Sequence, residues 1–145
     1  MFKHILVPVD GSSTALLAMD KAIELAKVFD GKVTAVHVID QYPFAGIGAD
    51  YAYGQTEYQA AATASAKQSL AQASGVAEAA GVPCAQRVVE GHAVHEGVLE
   101  AAAADDVDLI IMGSHGRHGI EKLLLGSVTQ RVLSHTTLPV LVVRG

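Results

Sequence analysis

The 145-residue sequence has no tryptophan, a single cysteine and few aromatic side chains of any kind. One thiol excludes an internal disulfide, so Cys84 is expected to be a small buried residue with no redox role. Without aromatic bulk, the aliphatic residues must fill the core. No run reaches the roughly 18 consecutive apolar residues of a membrane span. Met1-Phe2-Lys3-His4 leads into a short strand-like run rather than a signal peptide, so the expected location is the cytoplasm, without membrane insertion. Basic charge is also scarce: the net charge of -5 argues against a general nucleic-acid binder, which needs a basic surface. Two phosphate-binding motifs are missing, since there is no G-x-x-x-x-G-K-[ST] and no G-x-G-x-x-G after the first strand.

What is present is enough for a single core over residues 1–145, with half of the residues hydrophobic. The charge is unevenly placed. Residues 1–113 carry 6 basic and 14 acidic side chains, whereas 114–145 carry Arg117, Lys122, Arg131 and Arg144 against Glu121 alone.

Five short apolar runs read as strands: 4–9, 32–39, 84–89, 109–112 and 138–143. Between them lie four helical patterns. The first is capped by Ser12 or Ser13 and ends before Gly31; the second spans 60–80 and is closed by Gly81 and Pro83; the third opens at Gly91-His92; the fourth spans 125–135. Strands that are apolar at nearly every position need cover on both faces. The expected fold is therefore a doubly wound, Rossmann-like α/β structure: a five-stranded parallel sheet in the order 3-2-1-4-5 with four helices. Strand 138–143, apolar on both faces at a sheet edge, invites pairing with a second copy across a two-fold axis. Segment 41–59 holds all four tyrosines and reads as a long loop, able to close over a ligand, meet a partner or tuck against neighbours.

In such sheets ligands sit beyond the carboxyl ends of the strands, where strand order reverses. Three segments are expected there: Pro8-Val9-Asp10-Gly11-Ser12, Val38-Ile39-Asp40, and the loop from Gly113 onward. Gly113 and Gly116 allow positive φ and close approach of a ligand to main chain. Gly126-Ser127-Val128-Thr129 offers open amides at a helix start, with the Ser127 and Thr129 hydroxyls beside them. Arg117 and Lys122 can screen distal phosphates. The result reads as a cradle for a polyanion; the competing reading is a glycine-rich connector that only turns the chain.

Gly113-x-x-Gly116, then nine residues, then Gly126-Ser127 resembles the G-x2-G-x9-G-[ST] signature of the ATP-binding branch of the universal stress protein family. The runs Ile5-Leu6-Val7-Pro8-Val9-Asp10-Gly11-Ser12, Val36-His37-Val38, Asp108 through Gly116 and Pro139-Val140-Leu141-Val142-Val143 are similar to that family as well. The resemblance implies an adenine nucleotide alpha hydrolase-like fold and an adenine nucleotide, ATP with ADP or AMP as alternatives; a divalent ion such as Mg²⁺ can bridge its phosphates while using few protein ligands. It implies that Asp10 contacts the ribose or adenine end and that Val38 pairs with adenine through its main chain. Gly113, Gly116, Gly126, Ser127 and Val128 would hold ribose and phosphates, with Met112 packed nearby. It also implies a homodimer, with higher oligomers open; the function expected is a nucleotide-gated regulator whose ATP occupancy alters contact with a protein client or transporter.

Enzyme chemistry is the alternative. Asp10 lacks the second acid of a phosphoryl-acceptor pattern, because Pro8 stands two residues before it, so a hydroxyl-binding or helix-capping role is expected. His115 and His118 have the chemistry of an acid or base, yet adjacency in sequence does not place the Ser114 hydroxyl on an imidazole, and no orienting acid is evident. No catalytic residue is expected; slow ATP hydrolysis or phosphotransfer is the rival reading. His92 and His95 have three-residue spacing but no third ligand, so no metal site is expected.

Overall fold

The computed structural model describes residues 1–40, 49–91, 93–116 and 125–145, with the backbone alone at 49–53. Its elements are β1 (His4–Pro8), α1 (Ser13–Phe29), β2 (Lys32–Ile39), α2 (Ala49–Ala79), β3 (Cys84–Glu90), α3 (Val94–Ala104), β4 (Leu109–Gly113), α4 (Ser127–His135) and β5 (Val140–Val143). All pairings are parallel and the order is β3-β2-β1-β4-β5, as expected.

The apolar runs have the anticipated cause. Ile5 and Val7 join α1 and α2 residues such as Met19, Ile23 and Leu70 in one core cluster. Leu6, between them, joins Val98 of α3 and Val132 of α4 in the other. Each central strand thus buries both faces, as a doubly wound sheet demands. Ser12 caps α1: its backbone is extended and its hydroxyl accepts from the Ala15 amide at 3.2 Å. Gly31 follows the helix because a Cβ there would lie 2.8 Å from the Phe2 carbonyl oxygen.

Two elements differ from expectation. Helix α2 begins at Ala49, so 49–59 is helical rather than loop. Glycines and tyrosines spread over 41–59 masked the helix formers Ala52, Gln55, Glu57 and Gln59 in its second half. Tyr58 ties this part of α2 to the end of β2, donating its hydroxyl to the Asp40 carbonyl at 2.9 Å. Residues 41–48, the rest of the expected loop, lie outside the described residues. Cys84 is half-buried rather than buried, with desolvation pushing its thiol pKa up.

The two sheet edges are β3 and β5. On β3, Arg87 grips Asp105 at the end of α3 through two hydrogen bonds, of 2.9 and 2.5 Å. On β5, Leu141 is 40% exposed, so the apolar edge strand keeps an uncovered face within the chain.

Candidate functional site

The chain leaves β1 outward to β2 and β3, then returns across the sheet to β4, so strand order reverses between β1 and β4. β1 and β4 register at Ile5↔Leu109 and Leu6↔Ile110, and this ladder ends before either strand does. The crevice of such sheets is therefore expected between their carboxyl ends, the general ligand position.

One wall is the end of β2. Lys32 donates its amide to the Lys3 carbonyl and Val36 accepts from the Val9 amide at 2.8 Å, whereas Val33 donates to Pro83 beside β3. Main-chain groups alternate sides along a strand, so even-numbered residues of β2 turn toward β1. The β1 register ends at Pro8↔Val36. Val38 is the next residue facing that way, and its N–H and C=O point past the end of β1 with no partner among the described residues. Its side chain leans against α3, where a Cβ on Gly97 would lie 2.6 Å from a Val38 methyl group.

The other wall is the glycine loop. Ser114 donates its amide to Val143 at 2.8 Å and Gly126 donates to Ser114 at 2.7 Å, which pins both ends of the loop onto β5 and β4. Thr129, 2% exposed, donates its hydroxyl to the Gly113 carbonyl at 2.9 Å. These contacts correct two details of the expected cradle: the Gly126 amide and the Thr129 hydroxyl hold the loop together instead of facing an anion. The Ser127 and Val128 amides remain. Gly126 gives α4 no side-chain cap, the first turn has no acid, and neither amide has an acceptor among the described residues.

The motif glycines sit at close approaches rather than in left-handed backbone. The glycines with positive φ among the described residues are Gly11, Gly81 and Gly91, none of them in the motif. A Cβ on Gly113 would meet Thr14 Cγ2 at 2.6 Å, one on Gly116 would meet Asp10 Oδ2 at 2.8 Å, and one on Gly126 would meet His115 Cα at 3.2 Å. Asp10 therefore lies against the loop at Gly116, with Oδ1 accepting from the Ser12 amide at 2.9 Å. Pro8 is half-buried, and Val9 and Met112 are buried beneath the crevice; Val128 packs partly on the same core.

His115 lies between two hydroxyls: Ser114 Oγ is 3.2 Å from Nδ1 and Thr14 Oγ1 is 3.3 Å from Nε2. The sequence offered no reason for either contact, because Thr14 comes from α1 and the Ser114 rotamer depends on the loop. Ser114 is 1% exposed, so its hydroxyl is turned away from solvent. Arg117, His118 and Lys122 lie outside the described residues, as does His92. A groove lined by His4, Lys32, Thr34, Cys84 and Asp105 lies at the amino ends of the strands, away from the crevice.

Comparison with known proteins gives a consistent result. The model for the universal stress protein family matches residues 1–144. Universal stress protein MJ0531 of Methanocaldococcus jannaschii is 37% identical over 145 residues, covering 99% of this chain and 83% of that protein. The solved structure of MJ0577, from the same organism, superposes with a TM-score of 0.86 at 32% identity, covering 100% of this chain and 97% of the other. A universal stress protein solved in complex with cAMP superposes with a TM-score of 0.71 at 26% identity, covering 99% and 97%.

Proposed function

The chain belongs to the universal stress protein family, and on that premise we propose that it is an ATP-binding regulator that acts by nucleotide occupancy rather than by turnover. The observation that carries this reading is the pairing of two open main-chain surfaces across one crevice: the Val38 edge on one side and the Ser127 and Val128 amides on the other. An amide and a carbonyl side by side suit the adjacent acceptor and donor of adenine. A helix start with uncapped amides suits phosphate through both hydrogen bonding and the helix dipole. The cAMP complex of a relative supports a nucleotide ligand.

On this reading Val38 holds adenine, Asp10 takes a ribose hydroxyl, and Gly113 and Gly116 leave room for the sugar and first phosphate. The Ser127 and Val128 amides receive the next phosphates, with Gly126 leaving room beside them, while Pro8, Val9 and Met112 form the floor. Thr129 acts by holding the Gly113 carbonyl, and Arg117 and Lys122 serve the distal phosphates. ATP uses the whole cradle, whereas ADP and AMP use part of it. Mg²⁺ would travel on the phosphates with its waters: the described residues hold no cluster of three metal-ligating side chains, and Asp10 is a single carboxylate at the crevice.

Regulation requires that nucleotide bind two conformations unequally. The readout is contact with a client or transporter in the cytoplasm, by a homodimer joined through β5. No helix among the described residues is long and apolar enough to cross a membrane. A hydrolase reading rests on His115 and its two hydroxyls, but no carboxylate hydrogen-bonds that ring among the described contacts. Incubation with Mg·ATP, with bound nucleotide and released phosphate measured together, separates the two. Stoichiometric binding with negligible phosphate over hours is expected; release on the order of one per second makes the chain an enzyme.

A further inference from the structure

We propose that His95 and His135 form a two-imidazole site for a borderline transition-metal ion, Zn²⁺ or Cu²⁺, bridging α3 and α4. His95 is in the first turn of α3 and His135 in the last turn of α4, and their ring centres lie 5.6 Å apart with a 39° tilt. Two imidazoles sharing one tetrahedral or trigonal ion at about 2.0–2.1 Å hold their ring centres about 5–6 Å apart, so the observed separation needs little adjustment.

The rings are also prepared for ligation. His135 Nδ1 lies 2.8 Å from the Arg131 carbonyl oxygen, which can only accept, so Nδ1 carries a proton and, in the neutral ring, Nε2 presents the lone pair. A backbone carbonyl fixing the far nitrogen is the usual support for a metal-bound imidazole. His95 makes no hydrogen bond among the described residues, and its ring is committed only to the contact with His135. The His135 residue is exposed and His95 half-buried, so an ion and its waters can enter. No third His, Cys, Asp or Glu joins them among the described residues, so water completes the coordination. The site differs from a phosphate-borne Mg²⁺ in place and chemistry. It lies about 12 Å along α4 from the cradle at 1.5 Å per residue, and it offers nitrogen rather than oxygen.

The three-residue step from His92 to His95 does not identify the pair, because the partner comes from a helix forty residues later in the chain.

The test uses the full chain without a polyhistidine tag, stripped with chelator and titrated calorimetrically with ZnCl₂. Paramagnetic resonance on the Cu²⁺-loaded protein counts nitrogen ligands. Expected are one ion per chain, two coordinated nitrogens, and affinity at least tenfold weaker in both His95→Gln and His135→Gln, each with an unchanged circular dichroism spectrum. Should either glutamine variant unfold, the corresponding asparagine variant replaces it. Unchanged affinity in either folded variant, or no saturable binding below millimolar Zn²⁺, overturns the assignment.

Discussion

At the scale of single residues, the glycine loop is limited by contacts that any side chain would disturb. Gly126→Val places a branched group where even Cβ lies 3.2 Å from His115 Cα and 3.4 Å from the Ser114 carbonyl oxygen. Such crowding costs about 1–3 kcal/mol. The expected outcome is at least tenfold weaker nucleotide binding with a native far-UV dichroism spectrum; wild-type affinity in a folded variant contradicts the site. The glycine spacing was legible in the sequence, but its cause was not. Positive φ and close approach were both natural readings of Gly113 and Gly116; neither has positive φ, and the distances to Thr14 and Asp10 show tight approaches within the chain. Thr129 shows the same limit, because whether a hydroxyl faces a ligand or a carbonyl depends on the rotamer.

At the scale of elements, the end of β2 makes a prediction that separates main chain from side chain. Val38→Ala should leave nucleotide affinity within about threefold. Val38→Pro removes an amide that faces β1 rather than the β2–β3 ladder, so the sheet should tolerate it while adenine loses a donor. An unmatched polar group costs about 1–3 kcal/mol, and calorimetry should show ATP binding weakened roughly tenfold or more. Equal affinity in both variants removes Val38 from the site.

The β3–α3 contact makes a pH prediction. Hydrogen bonds from Arg87 hold the Asp105 carboxyl below its usual range, outweighing an opposing push from burial. In the unfolded chain that carboxyl titrates normally. The pair's stabilisation is therefore fully present above the ordinary carboxylate pKa and is lost as pH falls through the depressed one. Asp105→Asn should cost about 0.2–1 kcal/mol in urea unfolding at neutral pH, with the deficit closing in acid, as expected for a partly exposed pair; a deficit independent of pH contradicts this. Strands and short helices were legible because burial on two faces dictates composition. The start of α2 was not, because tyrosine and glycine content over 41–59 obscured helix formers in its second half, and tertiary contacts such as Tyr58 to Asp40 are invisible in sequence.

At the scale of the whole molecule, sheet order followed from alternation of strand and helix patterns, and the crevice followed from sheet order. The uncovered β5 edge predicts assembly. Wild-type protein should sediment as a dimer at micromolar concentration and Leu141→Lys as a monomer, since Leu141 is the most exposed of the β5 side chains; a monomeric wild type contradicts pairing through β5. An adenine nucleotide is expected between the Val38 edge and the start of α4. Adenine offers that edge a donor and an acceptor in the opposite order from guanine, so base identity is the sharpest readout. Calorimetric titration of the wild-type chain with Mg·ATP and Mg·GTP is the most direct measurement. Expected are one ATP per chain with a dissociation constant on the order of micromolar, about 8 kcal/mol of binding, and GTP weaker by at least tenfold; equal affinities, or no saturable heat with millimolar ATP, would contradict an adenine site there.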